Sequence, residues 1–131
     1  MTERKRCPFC SFDSADVLHE SALAMVLTDT YPVSPGHCLV VPRRHVGSWF
    51  EVNAEERSEM LGLLDAARAS ILDAHRPASF NIGINDGPAA GQSVPHVHIH
   101  LIPRYTGDVP DPRGGVRWVL AERARYWASR K

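Results

Sequence analysis

The sequence predicts an α+β fold, an antiparallel sheet with a helix packed on one face and a short C-terminal helix. Three observations predict it. Four segments read as strands: "ALAMVLTD" (22–29), "HCLVVPR" (37–43), "SFNIGIND" (79–86) and "HVHIHLIPR" (96–104). A capped apolar stripe at helical spacing lies between the second and third of them. The order strand, strand, helix, strand, strand then gives two hairpin-like pairs flanking a helix.

The elements follow in order. "YPVSPGH" (31–37) holds two prolines and a glycine, so it is the loop joining the first two strands. Asn53 with Glu56 three residues on forms a capping box. Met60, Leu64, Ala67 and Ile71 follow at helical spacing, and Pro77 ends the helix near His75. "GPAAGQS" (87–93) is a glycine-rich loop between the last two strands. "GDVPDPRGG" (107–115) is irregular, and Leu120, Ala124 and Trp127 suggest the short final helix. The 131 residues fit one domain over 1–131, with 109–131 a less regular tail.

Formal net charge is zero, which argues against a dedicated binder of nucleic acid or of an anionic membrane. Residues 104–131 nevertheless carry seven Arg and Lys against three Asp and Glu, a basic tail suited to a solvated helix or an anion. No segment approaches the roughly 18 apolar residues of a membrane helix. "MTERKRCP" has no hydrophobic run behind its basic residues, so it does not read as a signal peptide. A cytoplasmic setting is the expectation, and there three cysteines suggest a metal, a thiol role or burial. Cys38 reads as a core cysteine, and Trp49 and Phe50 as packing residues.

"SVPHVHIH" (93–100) places His96, His98 and His100 at every second position. Strand side chains alternate, so the three share one face, and Val97, Ile99 and Leu101 share the other, which belongs to the core. The histidines are then left on the open face. Such a row admits a merely polar surface, a three-histidine zinc site, or a nucleophilic imidazole with neighbours that orient it and stabilise phosphoryl charge. The glycine-rich loop just before it favours the last. Its amides can approach a phosphate closely, and Asn85, Gln92 and Ser93 add donors.

"HVHIHLI" fits the signature of the histidine triad family, and "NDGPAAGQSVPHVHIHLIPRYTGD" resembles its fragile histidine triad branch. "DTYPVSPGHCLVVPRRH" resembles the family's N-terminal half, so the likeness spans about residues 7–108. The resemblance implies the family's HIT-like sheet and a nucleotide hydrolase that cleaves a nucleoside phosphoanhydride or phosphoramidate, a dinucleoside polyphosphate for example, through a nucleotidyl-histidine. It implies His98 as nucleophile, His100 on the phosphate and leaving side, and His37 as a further phosphate-side histidine. It puts Asn85, Gln92 and Ser93 at phosphate-binding positions and Asp29 at the ribose hydroxyls. A histidine at position 100, rather than glutamine, favours hydrolysis over transfer. Homodimers are common in the family, and a nucleotide substrate is the implied partner.

"CPFC" places Cys7 and Cys10 in a C-x-x-C spacing, ambiguous alone between a zinc half-site and a redox pair. His45 of "RRH" and His96 would complete a closed Cys₂His₂ set. The resemblance to bacterial zinc-containing members extends to these four positions and implies a structural zinc at Cys7, Cys10, His45 and His96. The fragile branch lacks that zinc, so the sequence mixes features of two branches. A same-family phosphorylase or transferase, a nucleotide-binding regulatory module with little turnover, and a zinc hydrolase using all three triad histidines remain the alternatives.

Overall fold

A computed structural model describes residues 6–128; the basic residues before Arg6, and Arg130 and Lys131 of the basic tail, lie outside the described residues. Five strands form one antiparallel sheet: β1 (Val17–Glu20), β2 (Ala24–Thr28), β3 (Cys38–Pro42), β4 (Ser79–Gly83) and β5 (Ile99–Arg104). Their order is β1-β2-β3-β5-β4. Helix α1 (Ala54–His75) crosses one face.

The helix starts and stops where its sequence directs. Asn53 accepts from the Glu56 amide and Glu56 accepts from the Asn53 amide, the reciprocal capping box. Arg76 closes the other end in a left-handed conformation, one residue before Pro77. Met60, Ala67 and Ile71 are buried against Ala24, Val26, Val40 and Leu101, with Leu64 partly buried beside them. Glu56 has a second task. Its carboxylate takes Nε and Nη2 of Arg44 at 3.0 and 2.8 Å, which ties the chain next to His45 to the start of α1.

Three expectations need correction. A short strand, β1, precedes the predicted set and pairs with β2. The triad strand begins at Ile99 rather than His96, because ladder pairing with β3 spans only Ile99 to Leu101. And the histidine face is not open. Met25, Leu27, Leu39 and Val41 point to that face and are covered by Cys7 and Phe9 of the N-terminal turn in a second core cluster. His96 and His98 are consequently 0% and 8% exposed. Both rings meet Phe9 edge-on, at centroid distances of 5.7 and 4.9 Å.

Smaller differences follow. Cys38 is fully buried, as a core cysteine requires, whereas Phe50 lies 77% exposed and does not pack. The tail forms a 3-10 turn over Gly115–Leu120 and a single helical turn, α2 (Ala121–Ala124), folded back onto β4. Gly36 deserves a physical account, because its φ of +92° lies in the region L side chains rarely adopt. A Cβ there would also sit 3.1 Å from His75 and 3.2 Å from Ile71, so glycine is what lets the loop reach α1 immediately before His37.

Two glycine substitutions are therefore expected to move stability in opposite directions. Gly36→Ala is expected to lower it by about 1–3 kcal/mol through strain and crowding. Gly62→Ala, in the middle of α1 with nothing within 4 Å of its Cβ, is expected to raise it by about 0.5–1 kcal/mol. Urea unfolding midpoints of the two variants test both signs.

Candidate active site and metal centre

The segment that enters β5 carries the three histidines, and a backbone or ring partner aims each one differently. His98 Nδ1 lies 2.8 Å from the carbonyl oxygen of His96. A carbonyl only accepts, so Nδ1 carries the hydrogen and, in the neutral ring, the lone pair is on Nε2. That is the tautomer a nucleophilic imidazole needs. The ring of His100 stands 5.0 Å from that of His98, tilted by 66°.

The orientation of His100 is set by a relay. The backbone N–H of Val33 donates to His37 Nδ1 at 3.1 Å, which leaves the hydrogen of a neutral His37 on Nε2. His37 Nε2 lies 2.9 Å from His100 Nδ1 and 3.3 Å from Asp29 Oδ2. With His100 Nδ1 as acceptor, Nε2–H of His100 is a donor. Asp29 anchors the relay, its Oδ1 accepting from the Tyr31 amide at 2.8 Å. Asp29, His37 and His100 are close enough to be weighed as a metal site. The Val33 hydrogen bond argues against it, because the His37 nitrogen facing the other two already carries a hydrogen.

Both rings are held neutral. Burial lowers the pKa of His37, with Asp29 acting the other way. His100 is pushed down to about 4, by burial first and then by the neighbouring His98 and His37 rings.

His96 faces elsewhere. Its Nε2–H donates to the carbonyl of Pro42 at 2.7 Å, so the lone pair of Nδ1 is left for the opposite side. There Nδ1 lies 3.5 Å from both Cys7 Sγ and Cys10 Sγ and 3.3 Å from His45 Nδ1. Cys10 Sγ is 3.2 Å from His45 Nδ1. Around a tetrahedral zinc with bonds of about 2.3 Å to sulfur and 2.0 Å to nitrogen, neighbouring S and N atoms sit about 3.5 Å apart and N and N about 3.3 Å. The four side chains fit such an ion in donor type, spacing and tautomer. All three cysteines are free of disulfides. The three triad rings do not converge on a common point, which leaves no geometry for a three-histidine metal.

The loop ahead of the triad is shaped by its own side chains. Gln92 Oε1 accepts from the Gly87 amide at 2.8 Å, and Nε2 donates to the carbonyls of Gly47 and Val94. The Gln92 amide thus closes the loop. Asp86 pins the start of the loop, Oδ1 accepting from the Trp49 amide and Oδ2 from the Ser48 hydroxyl. Ser93 is exposed beside the buried His96, and Asn85 lines a cleft together with His37 and His100. Sequence reasoning missed Asp86, Phe9 and the Val33 amide. "NDG" and "CPFC" displayed the first two, whereas a backbone N–H leaves no trace in sequence.

A family model for the HIT domain matches residues 13–107, a stretch that holds the relay, the loop and the whole of β5. The chain belongs to the HIT domain family. This HIT protein is 34% identical over 114 residues to a bifunctional bis(5'-adenosyl)-triphosphatase/adenylylsulfatase of Arabidopsis thaliana, covering 81% of this chain and 63% of that one. It is 34% identical to an adenosine 5'-monophosphoramidase of Schizosaccharomyces pombe, covering 75% of this chain and 74% of that one. Among solved structures, a zinc-bound histidine triad family protein from Mycobacterium smegmatis superposes with a TM-score of 0.70 at 28% identity, covering 97% and 99% of the two chains. The chain spans between about half and two thirds of the length of several curated relatives that it matches.

The neutral state of the relay has a consequence for pH. A histidine whose folded pKa lies below its unfolded value of 6.5 contributes stability above that value and loses it as pH falls toward the folded one. The unfolded chain then binds more protons, so stability is expected to decline from about pH 6.5 to about pH 4. Urea denaturation at several pH values is expected to show a shallower decline in His100→Asn than in the wild type.

Proposed function

We propose that this HIT protein is a nucleotide hydrolase that cleaves a nucleoside phosphoanhydride or phosphoramidate through a nucleotidyl-histidine on His98. The observation that carries the reading is the hydrogen bond from His98 Nδ1–H to the His96 carbonyl, which turns the lone pair onto Nε2. Nε2 forms a bond to the α-phosphorus as the bond to the leaving group breaks, and the leaving group departs with the electron pair. Water then displaces the ring nitrogen, releases the nucleoside monophosphate and restores His98. His100 Nε2–H, the loop amides and Ser93 supply neutral donors to the phosphoryl oxygens as charge develops there. Asn85 adds a side-chain amide at the same end of β4. Gln92 supports the same oxygens by holding the loop in shape. Asp29 keeps lone pairs for a ribose diol besides anchoring His37. The triphosphatase and phosphoramidase names of two relatives support both substrate classes.

The reading includes a structural zinc held by Cys7, Cys10, His45 and His96, supported by the ligand spacing and by the zinc-bound relative. Bound there, the ion would tie the N-terminal turn to the chain before β5, away from the reacting atoms. The reading also includes a homodimer, for which β4 offers an unpaired sheet edge.

Mass spectrometry of samples quenched in denaturant at alkaline pH, which spares the acid-labile N–P bond, is expected to find one nucleoside monophosphate attached at His98 during turnover of an adenylated substrate. His98→Ala is expected to lose at least about three orders of magnitude in kcat while still binding nucleotide. Near-wild-type turnover in His98→Ala, with no adduct in the wild type, would overturn the mechanism. Incorporation of labelled inorganic phosphate into a nucleoside diphosphate would identify a phosphorylase instead.

Elemental analysis is expected to give about one zinc per chain in the wild type and much less in Cys7→Ser. Losing the ion is expected to lower the unfolding midpoint, because metal binding is coupled to folding. A metal-free wild type of unchanged stability would remove zinc from the account.

A further inference from the structure

Residues 45–49 and the chain from Asp86 to Val97 run side by side and are fastened along their length. At one end His45 and His96 meet in the cluster with Cys7 and Cys10, their Nδ1 atoms 3.3 Å apart. Next, the Val97 amide donates to the Val46 carbonyl at 2.8 Å. Gln92 Nε2 then donates to the Gly47 carbonyl at 2.8 Å. At the far end the Ser48 hydroxyl and the Trp49 amide donate to the two oxygens of Asp86, at 3.0 and 2.8 Å. Every residue of this strut therefore has a partner in the segment that forms the glycine-rich loop and enters the triad.

The strut is braced by α1. Just before it, Arg44 is bound to Glu56. At its end, Arg57 Nη2 donates to the Trp49 carbonyl at 3.0 Å, and the guanidinium lies 4.9 Å from the centre of the Trp49 ring. Trp49 itself packs against the main core cluster.

The loop hangs from the two ends of the strut. Its own turn uses the amides of Ala90, Gly91 and Gln92, and Gln92 Oε1 takes the amide of Gly87. The Ser93 amide makes no hydrogen bond among the described residues, so with its hydroxyl it is a donor open to an anion. Asp86 fixes the chain ahead of Ser93, and His96 of the cluster fixes it three residues after. A shift at either end moves that donor.

Bonds from one ion to both His45 and His96 would lock the first fastening. Two cysteine thiolates offset the charge of a divalent ion, so its effect on the loop is one of position rather than of field. A loop already held in shape loses less freedom when an anion binds, and affinity rises accordingly. Linkage then requires the anion to favour the ion by the same factor.

We propose that residues 45–49 are a strut through which the cluster of Cys7, Cys10, His45 and His96 sets the shape of the glycine-rich loop, with Asp86 as the positioning residue at its loop end. A divalent ion in the cluster and a nucleoside monophosphate at the loop then strengthen each other's binding. The proposal rests on the zinc and nucleotide readings and goes beyond both, because it makes the metal centre a determinant of nucleotide affinity and not of stability alone.

Calorimetry with adenosine monophosphate tests it on metal-free, zinc-loaded and cadmium-loaded protein, in the wild type, Asp86→Ala and Asp86→Asn. Zinc is expected to tighten nucleotide binding to the wild type by at least about fivefold, and the nucleotide to tighten zinc binding by the same factor. In Asp86→Ala the factor is expected to fall below about twofold with zinc content unchanged. Asp86→Asn keeps an oxygen for the Trp49 amide and is expected to restore most of the factor. If the metal-free protein unfolds, the two loaded forms carry the test: the larger cadmium ion is expected to change nucleotide affinity by at least about threefold in the wild type and by less than about twofold in Asp86→Ala. Equal affinity in all folded forms of the wild type overturns the coupling and leaves the zinc and nucleotide readings standing. A zinc effect kept in full by Asp86→Ala also overturns it, because the chain between Ser93 and His96 would then carry the effect. So does a loss of affinity in Asp86→Ala that is equal with and without metal, the mark of a merely structural role. Cysteines that hold no metal overturn the proposal together with the zinc reading, and a nucleotide that binds no form overturns it together with the nucleotide reading.

Discussion

The hydrogen bond from His96 Nε2–H to the Pro42 carbonyl, fully buried and 2.7 Å long, fixes the orientation of a ring on which two sites depend. With Nε2 committed, Nδ1 turns its lone pair toward the cysteine and histidine cluster. With the ring held, the backbone carbonyl of the same residue stays where His98 Nδ1–H reaches it. One residue thus meets the Cys7, Cys10 and His45 cluster through its side chain and His98 through its main chain. An unmatched polar atom in such a setting costs about 1–3 kcal/mol, so the arrangement is strongly specified.

A parallel logic governs the other end of the row. The Val33 amide decides the tautomer of His37, and His37 decides which nitrogen of His100 keeps its hydrogen. Neutral imidazoles are what burial favours here, and neutral donors are what a developing phosphoryl charge can use without a standing cation to desolvate. The two chains of hydrogen bonds differ in purpose. One frees a lone pair for attack, and the other turns a hydrogen toward the site.

Much of this was legible in the sequence, and what was not has identifiable causes. Asn53 and Glu56, the apolar stripe of α1 and Pro77 give the helix limits to within a residue, because caps and breakers act locally. The period of two in 96–100 exposed the triad, and the C-x-x-C one half of the cluster of Cys7, Cys10, His45 and His96. β1 escaped notice because Val17–Glu20 shows neither an apolar run nor a clean alternation, its inward positions being Val17 and His19. The covered histidine face escaped because its lid, Phe9, lies about ninety positions away in the chain and only the fold brings the two together. The direction of each ring was unreadable in principle, since backbone atoms of Val33, Pro42 and His96 set it. Gln92 shows the same limit, for its residue type does not reveal that Oε1 and Nε2 bond to the backbone of Gly87, Gly47 and Val94.

The clamp of Arg104 on Asp108 and Asn81 marks a seam in the molecule. Up to Arg104 the chain builds the strands, the relay and the row of histidines, whose rings are tied to one another and to the backbone by hydrogen bonds. Beyond Asp108 the chain only drapes a strap across a finished sheet, touching β4 through Gly115 and little else. Val116 and Val119 of the tail are exposed and take no part in the hydrogen bonds that orient the histidine rings. A substitution in the strap therefore disturbs the strands less than a substitution within the hydrogen-bonded row itself.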